Sequence, residues 1–309
     1  MSKGVFTLSL DCEGLWGVAD HLGSSTQSIN QNSLSEVYSY IDDVLSHHSI
    51  KATYAFTTLF TQDEANILKY KDSIQSYINE QDEWYKHIFN TLHNGNLDGW
   101  LGREFYLQAK KNSHEIAWHG FTHHPLGETT KKNIVKFEVS ESLKVFEKES
   151  LDVTSIVFPR NDVGHLNLLG NSGFDVYRKG VIEQSRLHSN KYYRVLDEFN
   201  VLKSSQKFKS SKSKKTPMIS LPAGYFLNWP SGPRRLIPSE VTYRRWDHIL
   251  RSASRRSAQA HMWFHPHNMI TAPKMRDTFE SIIKNISTRI DNGEILNLTM
   301  EECKRYYNE

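Results

Sequence analysis

The sequence predicts an α/β fold, a distorted and incomplete (β/α) barrel in which parallel strands alternate with helices around a curled sheet. Three observations lead there. Short apolar runs rich in β-branched and aromatic residues alternate with longer stretches of helical period along the chain. Seven such runs are present, enough for most of a barrel. The segments richest in acids and histidines fall at the ends of those runs. An open, doubly wound sheet is the alternative arrangement of the same elements.

The strands are expected at 5–10 (VFTLSL), 51–57 (KATYAFT), 114–118 (HEIAW), 153–158 (VTSIVF), 174–177 (FDVY), 259–264 (QAHMWF) and 295–298 (ILNL). Helices are expected near 33–47, 63–79, 130–150, 163–171, 239–256 and 275–290. In the first of these, Asn32 or Ser33 is placed to cap the helix. Leu34, Val37, Tyr38, Ile41 and Leu45 recur at helical spacing, as a core-facing stripe does. Two stretches break the alternation. Residues 76–112 are long and aromatic and read as an inserted pair of helices capping one end of the barrel. Residues 203–215 (KSSQKFKSSKSKK) carry six lysines and five serines and read as a flexible basic loop. Neither an internal repeat nor a second domain is visible, so the expectation is one catalytic domain over 1–309.

Composition narrows the function classes. With 38% hydrophobic and 24% charged residues the chain reads as globular. Its net charge of +3 is too mild to argue for nucleic acid. No run approaches the ~18 apolar residues of a membrane span. The N-terminus passes almost directly into a strand pattern without the marks of a secretory signal, which predicts a cytoplasmic protein. Only two cysteines are present, Cys12 and Cys303, too few for a disulfide framework or a cysteine zinc cage.

Three motifs carry chemistry. In "LSLDCEG" the side chains of Asp11 and Glu13 share a face of the first strand, with Cys12 on the other. Two carboxylates so close are costly without a positive partner, of which a divalent ion is one. "HEIAWHGFTHHPLG" holds four histidines. His114 and His119 are five apart, so the zincin spacing fails. His119 and His123 are four apart across a strand end and can reach one ion. In "HMWFHPHN", His265 follows an apolar strand stopped by Pro266, a position where an imidazole can serve as a general acid; His267 is the competing choice. All three motifs fall at C-terminal ends of expected strands, where barrel enzymes place their chemistry.

With these residues in hand, the chain resembles the polysaccharide deacetylase family (the NodB-homology or carbohydrate esterase 4 family) over most of its length, from Phe6 to about Met300. "LSLDCEG" is similar to the family's opening strand motif, "HGFTHHP" to its metal-ligand histidine motif, and "WFH" to its late LxH motif. "VFPRND" and "GFDVYR" occupy the places of two further groove motifs. The family's common pattern has adjacent aspartates, whereas this chain has Asp11, Cys12, Glu13; the resemblance is therefore to acid-x-acid branches. Trp263 stands in place of the leucine of LxH.

The resemblance implies a barrel of the polysaccharide deacetylase type and a metal-dependent hydrolase of N-acyl amino sugars. Glu13, His119 and His123 would hold one divalent ion, zinc by preference. Asp11 would be the base and His265 the acid. Arg160 would fix Asp11, and Asp175 would orient His265 or Arg160. Trp16, Trp118, Trp263 and Tyr225 are candidates for stacking on a sugar. The implied substrate is a surface polysaccharide or its cytoplasmic precursor. The rivals are an allantoinase-like C–N hydrolase and a catalytically inert carbohydrate-binding relative.

Overall fold

Every residue of β1 (Gly4–Cys12) is buried, the mark of a central strand covered on both faces. A computed structural model describes residues 3–24, 26–78, 82–180, 198–199, 211–212 and 218–308 of the chain. The second half of β1 pairs in parallel with β2 (Thr53–Phe56), and β10 (Ile295–Asn297) occupies the first half of the same edge. The other edge is filled by β9 (Gln259–Phe264), with β8 (Tyr225–Phe226) beyond it. From β2 the sheet runs on through β3 (Glu115–Trp118), β4 (Ser155–Val157), β5 (Val176–Arg178) and β7 (Ile219–Leu221), all parallel. It ends on β6 (Ser211–Lys212), the one antiparallel partner among the described strands. The sheet curls into a half-barrel with helices around it, an incomplete (β/α) barrel.

Alternation along the strands separates two faces. Phe6, Leu8, Leu10 and Cys12 of β1 face the main core, which packs against α1 (Gln31–His47), α8 (Ser239–Arg256) and α10 (Lys274–Asp291). On the inner face Val5, Ala55, Ala117, Val157, Val176, Ile219 and Leu221 form a second cluster. These small and β-branched residues leave room for α11 (Met300–Asn308), whose Met300 and Cys303 close the N-terminal end of the half-barrel. The Glu115 carboxylate accepts from Thr53 Oγ1 (2.6 Å) and from the Glu301 amide in the first turn of α11 (3.2 Å). Both cysteines are buried free thiols, and burial pushes each up, Cys303 to about 12.

The observed strands overlap all seven expected ones. The stripe on α1 is buried as expected, but Asn30 rather than Asn32 or Ser33 caps it, in a reciprocal capping box with Ser33. The helix expected over 63–79 is broken at Lys69–Tyr70 into α2 (Glu64–Leu68) and α3 (Lys71–Ile78). Within 76–112 lie α4 (Glu83–Asn94), begun by the Asp82 cap and ended by left-handed Gly95, and α5 (Arg103–Lys111). The other helices expected after β3 and β4 are α6 (Lys132–Lys148) and α7 (Leu166–Asn171). A four-residue helix, α9 (Asn268–Thr271), follows β9. Of the lysine-rich stretch, Ser211 and Lys212 form β6, while 203–210 and 213–215 lie outside the described residues. Among the described residues no helix is long and apolar enough to cross a membrane.

Candidate active site

At the C-terminal ends of β1, β3 and β9 the structure brings together Asp11, Glu13, His119, His123 and His265. Glu13 follows β1 and is 3% exposed. Its carboxylate folds back over Gly17, where a Cβ would lie 2.0 Å from Glu13 Oε1, so only glycine leaves room for it there. Glu13 Oε2 is 3.1 Å from His119 Nε2 and 2.6 Å from His123 Nε2. His119 extends β3, and Gly120 (φ 79°) then turns the chain so that His123, itself at φ 65°, faces back. Ligand atoms of Glu13, His119 and His123 all lie within 4.8 Å of one another, and a second set joins Glu13 to His265 and His267.

The donor set fits a divalent ion. His119 Nδ1 is 2.7 Å from the carbonyl oxygen of Val157 and must donate to it, so in the neutral ring the Nε2 lone pair faces the Glu13 carboxylate. An acceptor facing an acceptor in a buried place calls for a proton or a metal between them. One carboxylate oxygen with two imidazole nitrogens is a ligand set of catalytic zinc. Burial opposes ionisation of Glu13, but attraction to His123 and His265 prevails and holds it well below the usual carboxylate range.

Asp11 is held by an arginine that sequence reasoning missed. Arg178, at the end of β5, donates to Asp11 Oδ1 (2.7 Å) and Oδ2 (2.8 Å) in a two-pronged pair. Burial raises the Asp11 carboxyl, and the guanidinium outweighs it, so Asp11 lies below its ordinary value. Arg178 also donates to Asn161 Oδ1 (3.0 Å) and Ser9 Oγ (2.9 Å), and its guanidinium covers the Trp263 ring at 4.4 Å. Behind it runs a chain of neutral bonds. His261 Nδ1 donates to the Pro222 carbonyl (3.0 Å), which leaves His261 Nε2 to accept from Ser9 Oγ (2.9 Å). Burial and the nearby Arg178 charge push His261 down to about 3, so it stays neutral.

His265 is the more open histidine of its pair, with a quarter of its side chain exposed. Its Nε2 lies 3.7 Å from Asp11 and 3.6 Å from Glu13. The Asn268 side-chain amide sits 3.3 Å from Nδ1 and can turn either its oxygen or its NH2 to the ring, holding it in both protonation states. His267 is buried, and burial followed by the His265 charge lowers it to about 4.

Two expected roles are corrected. Arg160 does not reach Asp11; it stands at the rim, donating to Asp20 at 2.5 Å and lying over the Trp84 ring at 5.3 Å. Asp175 precedes β5 and therefore lies at the opposite end of the strand from Arg178, paired with Lys304 of α11. It orients neither His265 nor Arg160. Of the aromatic candidates, Trp16 and Trp118 are core residues, bonded to the Trp100 carbonyl and to Ser142. Tyr225 packs on Trp246, whereas Trp263 lines the site beside Phe226 and His265. Trp84, unremarked in the sequence, packs against His123 with ring centroids 5.7 Å apart. Arg178 was within the quoted "GFDVYR"; its place two residues after Val176, on the inner face, was the available signal.

No protein-family model matches the chain, and no curated protein matches it. Solved structures do. One from Mycobacterium smegmatis, described as a polysaccharide deacetylase, is similar over 99% of this chain and 91% of its own, with TM-score 0.61 and 11% identity. One from Pseudomonas aeruginosa PAO1, described likewise, covers 98% and 89% at TM-score 0.56 and 10% identity. Puue allantoinase covers 98% and 89% at TM-score 0.53 and 11% identity. The chain has the fold of these proteins.

Proposed function

We infer that the protein is a metal-dependent hydrolase that removes an N-acyl group from an amino sugar of a surface polysaccharide or its precursor. The observation that carries this reading is the meeting of Asp11, Glu13, His119, His123 and His265 at one rim of the half-barrel. Glu13, His119 and His123 would hold a divalent ion, zinc by preference, which when bound would supply Lewis acidity and a more acidic water.

The chain's own groups do the rest. Asp11, kept ionised by Arg178, accepts the proton of the attacking water. The two-pronged pair also stops the carboxylate from turning, so its free lone pairs keep one direction. His265, open to the pocket and braced by Asn268, donates a proton to the departing nitrogen, leaving a free amine and a carboxylate. His267, neutral and buried, is the weaker choice for that acid. Phe226, partly exposed beside His265 and backed by the buried Trp263, offers apolar surface for a sugar face.

The names borne by two of the fold neighbours support the substrate class; the allantoinase likeness supports a second reading, hydrolysis of another C–N bond by the same groups. The test is release of acylate from N-acylated amino sugars by the zinc-loaded protein, with allantoin alongside. Acylate release that disappears together with bound zinc in His119→Ala is the expected result. A His119→Ala protein that keeps its zinc and its turnover overturns the ligand assignment.

A further inference from the structure

The loop that presents His119 and His123 is gripped by a carboxylate outside the ligand set. Glu138, on α6, is fully buried. Its Oε2 accepts from the backbone amides of Phe121 (2.7 Å) and Thr122 (3.0 Å). Its Oε1 accepts from Thr122 Oγ1 (2.6 Å) and from the Tyr85 hydroxyl (2.8 Å). Three of these four donors belong to residues between the two histidines. A second grip comes from α4. Trp84 Nε1 donates to the Thr122 carbonyl (3.1 Å), and its ring packs on His123. Asp82, the cap of α4, is 3.1 Å from His124 Nε2.

This hold is needed because the loop is held away from its relaxed shape. His123 is a non-glycine residue in the left-handed region, a conformation that persists only where its surroundings enforce it. A carboxylate suits the task, being an acceptor only, with room for four donors. Charged acceptors also make the stronger bonds.

We propose that Glu138 is a positioning residue for the metal site: it sets the 119–123 loop so that both imidazoles face Glu13 before an ion arrives. Trp84 and Tyr85 of α4 brace that arrangement from the other side. The inference rests on the metal-binding reading above and assigns to α4 a part in it.

The test uses the full chain stripped of metal and titrated with zinc alone against a chromophoric chelator. Glu138→Gln keeps the shape but turns an NH2 toward donors, and its zinc affinity should fall by about 10- to 100-fold, the usual cost of losing a partner behind a ligand. Thr122→Val removes one donor at nearly constant volume and should give a smaller loss in the same direction. It carries the test by itself if Glu138→Gln does not fold. Each titration is run well below the variant's own thermal midpoint, so a purely structural role would leave affinity unchanged. Wild-type affinity in the folded variants overturns the proposal. A wild-type chain that takes up no zinc overturns the metal reading and this inference together.

Discussion

At the scale of single residues, the division of labour around Asp11 is sharp enough to separate by substitution. On the proposed mechanism Asp11→Asn keeps the shape and removes the base, so kcat should fall by about 10²- to 10⁴-fold with zinc still bound at one equivalent. Arg178→Ala leaves the carboxylate but frees it to turn and removes the charge that keeps it ionised. Turnover should again fall with zinc retained, as measured by steady-state kinetics beside metal analysis. Loss of zinc in either protein would move Asp11 into the ligand set. The acids and histidines of this site were legible because each stands in a short window at a strand end. Arg178 was harder to read: it shares a face with Val176, but a single arginine closing a three-residue strand forms no motif of its own. Its role depends on the curled sheet bringing β5 to β1, four strands along the order, which is a property of topology. Arg160, one residue beyond a proline, drew attention as the nearest basic group in a plausible motif, yet its left-handed backbone (φ 57°) turns it toward Asp20 and the rim.

At the scale of elements, hydrophobic period located the long helices and the buried strands, because both bury whole faces. It failed where an element is too short to show a period or is set by partners distant in sequence. The two-residue β8 exists because β9 offers it an edge. The polar α11 is positioned by Glu115 at its first turn and by Cys303 within the half-barrel. The start of α1 shows the difference in detail. Asn30 lies before the apolar stripe begins, so the stripe alone pointed two or three residues too late. Asn30→Ala removes the acceptor for the Ser33 amide (2.9 Å) and should cost about 1 kcal/mol, read as a lower denaturant midpoint with unchanged slope.

For the molecule as a whole, the interior of the half-barrel ties pH to stability. His261 titrates near 3 when folded, against about 6.5 in an unfolded chain. As pH falls below about 6.5 the unfolded chain takes up a proton that the folded one refuses, so stability drops. The loss runs at up to about 1.4 kcal/mol per pH unit until pH nears 3, below which both states are protonated. His261→Gln should flatten this part of the stability–pH curve measured by denaturant unfolding between pH 4 and 7, roughly the window those two values set. An unchanged slope would place the proton uptake elsewhere. The two buried thiols offer a different handle. Cys12 faces the helix-packed core outside the sheet and Cys303 fills the N-terminal end of the half-barrel, each shielded from solvent and disinclined to ionise. A thiol-modifying reagent should therefore spare the native protein and label each sulfur only when the core around it opens. Mass-resolved labelling would then tell which face of the sheet is uncovered first, with nature having already installed one reporter on either side.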